Sequence, residues 1–203
     1  MATLACFHAH PDDESITTGG VMARAVSEGH RVVLVVATNG EYGETPADLS
    51  EGETLAMRRA SETAKSAVEL GVARVEFLGY ADSGMTGWDQ NAHTEAFMNA
   101  PLDEAAERLA AILREEDVST LTIYDWHGGY GHPDHIQINR VGLRAAELAS
   151  IPYVYEATMN REAVMRFMEL ARSAGQEIEF DANDTDDGTP FGTPEVSSRP
   201  PST

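Results

Sequence analysis

The chain has 203 residues, of which 34 are acidic and 14 basic, giving a net charge of -20 near neutral pH. Such a surface repels phosphate backbones and anionic lipid, which excludes the usual electrostatic basis for binding nucleic acid or a membrane surface. No apolar run approaches the roughly 18 residues of a membrane span, Met1 to Cys6 has no basic leader, and Cys6 is the only cysteine, so we expect a cytoplasmic protein without disulfides or membrane insertion.

In chain order, Leu4 to His8 reads as a strand, Ile16 to Glu28 as an amphipathic helix, and Val32 to Ala37 as a second strand. A helix over Leu55 to Leu70 and a strand at Val75 to Leu78 follow. Glycines at 29 and 71 stand where left-handed helix ends favour them. Beyond these lie a helix over Asp103 to Glu116, a strand at Leu121 to Tyr124, a helix over Asp134 to Ala149, a short strand near Tyr153 and a helix over Asn160 to Ala174. The alternation predicts an α/β fold, a mostly parallel sheet with helices on both faces. One domain, 1–175, is expected, followed by an acidic, proline-containing, disordered tail, 176–203, with seven acidic residues, one arginine and four prolines.

Three long connections stand out: Thr38 to Glu53, with five acidic residues and no basic one, whose acidic part Glu41 to Glu53 reads as a solvated lid, then Gly79 to Pro101, and Asp125 to Asp134. His10-Pro11-Asp12-Asp13-Glu14 follows the first strand, and His132-Pro133-Asp134-His135 follows the strand ending at Tyr124. Both segments therefore belong at the carboxyl edge of the sheet, where open α/β folds place ligand crevices. Catalytic zinc takes three nitrogen or oxygen ligands and keeps a position open, a requirement that His10, Asp13 and His135 fit. Hydrolysis of an amide also needs a carboxylate base, for which Asp12 is the candidate, and a donor for the oxyanion, for which His132 and Tyr130 are placed. Two histidines and a carboxylate also accept Fe(II).

The segments AHPDDE and GGYGHPDH resemble those of the PIG-L/LmbE-like de-N-acetylases, and GYADSGM with GGYGHPDH is similar to the mycothiol deacetylase and mycothiol conjugate amidase branch. The resemblance runs from about Ala5 to Phe191. It implies a Rossmann-like fold, zinc held by His10, Asp13 and His135, Asp12 as general base, His132 aiding the transition state, and Asp134 orienting a histidine. By the same resemblance Tyr130 meets the oxyanion or leaving group, and Arg58 and Asp82 contact sugar or inositol hydroxyls. The implied reaction is removal of an acyl group, acetyl first, from the nitrogen of a small N-acyl glycoside such as N-acetylglucosaminyl-inositol. The competing readings are amidase action on mycothiol S-conjugates and a metal-holding sugar-binding module without catalysis.

Simpler readings stand beside these. Asp12, Asp13 and Asp134 sit where aspartates cap helices, Arg58 lies beside Arg59 on a helix where a solvated charge is ordinary, and Asp82 before Ser83-Gly84 fits an Asx turn. His8, His30, His93 and His127 lack partner spacing and read as structural, and Cys6 as a buried apolar thiol.

Overall fold

The structure, a computed structural model, describes residues 1–176 and 192–193. Five strands form one sheet: β1 (Thr3–His8), β2 (Arg31–Thr38), β3 (Arg74–Tyr80), β4 (Thr120–Tyr124) and β5 (Tyr153–Ala157). Their order is β3-β2-β1-β4-β5 and every pairing is parallel, so the chain order reverses at β1. This is the switch point at which a doubly wound sheet opens a crevice at its carboxyl edge.

The helices are α1 (Asp13–Thr17), α2 (Gly19–Ser27), α3 (Leu55–Leu70), α4 (Leu102–Glu115), α5 (Gly128–Gly131), α6 (Pro133–Ala149) and α7 (Arg161–Ser173). Alternate residues of each strand serve opposite layers, as the two-residue repeat requires. Ala5, Phe7, Val33, Val35, Leu121 and Ile123 pack with Leu109 and Leu113 of α4 and Ile138 and Val141 of α6. Leu4, Cys6, Val32, Leu34 and Val36 meet Met22 of α2, with Leu70 at the end of α3 packed against them. Cys6 is wholly buried, and burial raises its thiol.

The second layer stops short of the β5 edge. Thr120, Thr122 and Tyr124 of β4, with Tyr155 of β5, border a cavity of about 1000 Å³ that Ile16 and Val21 flank from the helix side. Its upper end reaches Asp12, Asp13, Tyr130 and His135.

Thr54 caps α3 by accepting from the Met57 amide at 3.2 Å, and Gly71 closes it with φ 73°. The expected single helix over Ile16 to Glu28 is instead two, broken at Thr18, whose φ of -125° is not helical. The hydroxyl of Thr18 lies 2.8 Å from His8 Nε2, and a Gly19-Gly20 pair follows, so a long-range hydrogen bond and weak helix formers coincide at the break. The connection after β3 contains two short 3-10 turns, Asp89–Ala92 and Phe97–Asn99, with Phe97 fully buried. The expected lid is anchored at its start, where Glu41 accepts from the Asp82 amide at 3.1 Å. Most of the acidic tail lies outside the described residues. No helix among the described residues is long and apolar enough to cross a membrane.

Candidate metal centre

Two loops at the carboxyl edge bring the histidine segments together. After β1 the chain turns sharply at Asp12, which adopts φ 86° and ψ -27°, a left-handed conformation uncommon outside glycine, and α1 starts at the next residue. After β4 the short helix α5 lies against the first turn of α6. Gly128 makes this possible: its φ is +67°, and a Cβ there would fall 2.6 Å from His135 Cβ and 2.8 Å from the Ile136 amide nitrogen. The Gly128 carbonyl accepts from His135 Nδ1 at 3.2 Å, which fixes the ring and leaves Nε2 facing the centre. His135 Nε2 is buried and makes no hydrogen bond among the described residues.

Asp13 Oδ2 is the hub. It lies 3.3 Å from His10 Nδ1 and 3.4 Å from His135 Nε2. Ligands 2.0–2.1 Å from a tetrahedral zinc are separated from one another by about 3.3 Å, so these spacings match the edges of such a site. The far side of His10 is also held, because Nε2 stands 3.1 Å from Asp134 Oδ2. That carboxylate, fully buried, accepts from the Ser83 amide at 2.9 Å and from the Ser83 hydroxyl. Carboxylate-to-histidine support of this kind orients metal-binding rings. The ring nitrogens of His10, His132 and His135 lie within 4.8 Å of one another, and so do the donor atoms of His10, Asp82, His132 and Asp134. In that second set both carboxylates already serve backbone amides, Asp82 accepting from Gly84 at 2.8 Å and Tyr42 at 3.3 Å.

Electrostatics favour a cation here. Burial opposes charge on His10, yet Asp13, Asp134 and Asp82 outweigh it and raise the imidazole well above its usual value. Burial likewise opposes charge on Asp13, and His10 and His135 reverse the effect, holding the carboxyl well below its ordinary range. Asp82 falls to about 2, because His10 and backbone amides overcome its burial. Three carboxylates thus surround one buried position that calls for positive charge, and the nitrogen and oxygen donor set suits a divalent ion.

His132 is pushed down to about 4 by burial and then by the charges of His10 and His135, so its ring is neutral. Its Nδ1 accepts from the Asp134 amide at 3.1 Å, capping α6, which places the proton on Nε2 and makes that nitrogen a donor. Tyr130 is raised to about 12, first by burial and then by Asp13, so its phenol stays protonated. The ring borders the cavity, with its centre 5.1 Å from that of His135.

The remaining expected residues are distributed differently. Asp12 is exposed at the cavity mouth, with Oδ2 at 2.8 Å from Arg59 Nη2. Arg58 is engaged by Glu53 at 2.8 Å and Asp48 at 3.2 Å. Its neighbour Arg59 is the arginine that reaches the site, donating also to the carbonyls of Pro11 at 2.7 Å and Gly40 at 2.8 Å. Asp82 is buried in an Asx turn, with Oδ1 3.6 Å from His10 Nε2. Sequence reasoning passed over Arg59, Ser83, His8 and Tyr124. Tyr124 stacks on His135 with ring centres 4.2 Å apart and planes 14° apart, and only the period-two pattern of β4 hinted at its orientation.

Residues 5–146 match the PIG-L family, described as GlcNAc-PI de-N-acetylase. A 1D-myo-inositol 2-acetamido-2-deoxy-alpha-D-glucopyranoside deacetylase of Streptomyces avermitilis is 50% identical over 155 residues, covering 71% of this chain and 53% of that protein. The chain thus spans about half the length of that relative. A protein of the same name from Acidothermus cellulolyticus is 41% identical over 207 residues, covering 96% of this chain and 71% of that one. Among solved structures, N,N'-diacetylchitobiose deacetylase from Pyrococcus horikoshii is 25% identical with a TM-score of 0.57, over 85% of this chain and 67% of that one. With the family model covering residues 5–146, the chain belongs to the PIG-L family of de-N-acetylases.

Proposed function

We propose that this chain is a metal-dependent N-deacetylase acting on a small N-acyl glycoside, with N-acetylglucosaminyl-inositol as the first candidate. The observation that carries the reading is the set of His10 Nδ1, Asp13 Oδ2 and His135 Nε2, spaced 3.3 and 3.4 Å about Asp13 at the end of an open cavity. These three residues would hold the ion, zinc in the first instance, with Fe(II) accepted by the same donors. Such an ion, when bound, supplies Lewis acidity towards an amide carbonyl and towards water.

The chain's own residues supply the rest. The Asp12 carboxylate, at the cavity mouth, takes up a proton from water and returns it to the departing amine nitrogen. Arg59 fixes its orientation through Oδ2. His132 donates from Nε2, and Tyr130 from its protonated phenol, to a carbonyl oxygen that gains negative charge. Asp134 holds His10, and Ser83 holds Asp134. The names of the relatives support the glycoside as substrate class. The same reading places the enzyme in the cytoplasm, where a lone reduced thiol such as Cys6 is at home.

The test is primary-amine release by zinc-loaded protein from N-acetylglucosaminyl-inositol, N-acetylglucosamine and a mycothiol conjugate, with and without a chelator. Chelator-sensitive release, greatest from the first substrate, is expected. Preference for the conjugate would make the protein an amidase instead, and no release despite bound zinc would leave a sugar-binding module. Asp12→Ala should lower kcat by about a hundredfold or more while zinc content stays at the wild-type level, since Asp12 is assigned no ligand role.

A further inference from the structure

Helices α1 and α3 meet across a polar seam. Arg59, Glu62, Thr63 and Ser66 recur at the three- and four-residue spacing that puts them on one face of α3, and they share a cavity with Glu14 and Ser15 of α1. The cavity holds about 90 Å³, room for an ion and a few waters at about 30 Å³ each. It is distinct from the large cavity beside β4, although Asp12 borders both.

Two side chains on its wall are buried and incompletely served: Glu14 is 0% exposed and Thr63 2%. Glu14 Oε1 lies 3.0 Å from the Ser15 hydroxyl and 2.9 Å from the Ser66 hydroxyl, and the two hydroxyls are 2.9 Å apart. Glu14 Oε2 and Thr63 Oγ1 have no hydrogen-bond partner among the described residues. The protonation state of the carboxyl does not change this, since a proton on Oε2 would meet no acceptor and a proton on Oε1 would leave Oε2 as it is. Arg59, the cation on the wall, is engaged by the Pro11 and Gly40 carbonyls and by Asp12.

Buried polar atoms are nearly always paired, so two such oxygens at one cavity require a common partner. The serine protons are drawn to Oε1, and the wall otherwise offers acceptor oxygens: three carboxyl groups and hydroxyl lone pairs against one guanidinium. A donor set made only of oxygen selects a hard cation, and calcium accepts about six to eight oxygens, waters included, in a tolerant geometry.

We infer that the cavity between α1 and α3 binds a hard cation, calcium in the first instance, with Glu14 Oε2 and Thr63 Oγ1 as ligands and retained waters completing its shell. Ser15 and Glu62 are exposed, which gives the ion an entry path. The inference does not depend on the histidine centre. An ion at this place ties α1, which begins at Asp13, to the middle of α3.

The experiment is calcium binding by equilibrium dialysis on the whole chain, in physiological salt that screens weak association with surface carboxylates. Wild type should show one saturable site, retained in His135→Ala, which disables the histidine centre without touching α1 or α3. Thr63→Val keeps the shape and removes the oxygen, and Glu14→Gln keeps the shape and removes the carboxylate. Each should weaken calcium binding about tenfold or more. Thermal unfolding without calcium checks that the variants fold, and Thr63→Val decides alone should Glu14→Gln fail that check. A wild type without a saturable site, or undiminished affinity in Thr63→Val, overturns the inference and leaves the two oxygens to water. Binding lost in His135→Ala overturns it by placing the ion among the histidines.

Discussion

Replacing Gly128 with alanine tests whether the approach of α5 to α6 sets the position of His135. Two costs add. A non-glycine residue at φ +67° carries a left-handed penalty of roughly 1–2 kcal/mol. The new methyl would also lie 2.6 Å from His135 Cβ and 2.8 Å from the Ile136 nitrogen, contacts no rotamer change relieves. Forcing an extra carbon into packed surroundings costs roughly 1–3 kcal/mol, for a total of roughly 2–5 kcal/mol. At about 2–4 °C per kcal/mol for a chain of this length, the melting temperature of the metal-free protein should fall by about 4–20 °C. Gly29→Ala is the control. Its φ is +83°, yet nothing lies within 4 Å of the added carbon, so only the backbone penalty of roughly 1–2 kcal/mol applies. Thermal unfolding of both variants measures the difference, and zinc affinity should fall in Gly128→Ala alone. Equal melting temperatures and equal affinities in the two variants would refute the claim that steric approach, rather than backbone freedom, makes glycine necessary at 128.

Other consequences are open to direct measurement. Arg59→Ala should lower kcat by about tenfold, since it frees the Asp12 carboxylate and two loop carbonyls, whereas Arg58→Ala should leave kcat unchanged, as read from steady-state kinetics on the glycoside. Ser83→Ala leaves Asp134 with one fewer donor and should weaken zinc binding about tenfold, as read by chelator competition. The metal-free protein should lose stability on both sides of pH 6.5. His8 and His132 each fall to about 4 in the fold, so below 6.5 the unfolded chain binds protons that the native state does not, and stability falls by about 1.4 kcal/mol per pH unit for each until pH 4. His10 is raised instead, so its contribution is complete below 6.5 and is lost as pH rises through its folded value. Denaturant unfolding across pH 4 to 9 should trace that dome, and a flat profile would contradict the three assignments.

Much of the frame was legible because local signals agreed. The helix Leu55–Leu70 matches its sequence reading, since an amphipathic repeat and Gly71 mark its face and end, and the structure adds Thr54 as its cap. The two histidine loops belong at one sheet edge because each follows a strand of a mostly parallel sheet, which the sequence shows without the strand order. What escaped depended on contacts that only folding creates. The break at Thr18 coincides with a hydrogen bond from a strand ten residues earlier, invisible to a periodicity of 3.6. Arg58 and Arg59 are adjacent, and the choice between them turns on helix phase relative to the HPDDE loop, about 100° per residue, which sequence pattern cannot register against a distant loop. Asp82 closes the Asx turn that the Asp-Ser-Gly sequence suggests, and its approach to His10 is a contact between distant segments that no local spacing encodes. In β4, Thr120, Thr122 and Tyr124 alternate with Leu121 and Ile123, and the cavity borders the former set, an asymmetry the sequence reading did not use.

The bond from His10 to Asp134 joins residues 124 positions apart. Closing a loop of that length costs the unfolded chain about 4 kcal/mol in entropy, which no neighbour in sequence can offset. Neither histidine loop can therefore acquire its working geometry as an isolated peptide, and the pocket comes into being only once β4 has docked beside β1. Assembly of the centre should thus be a late event in folding, and its integrity a measure of the whole sheet rather than of either loop.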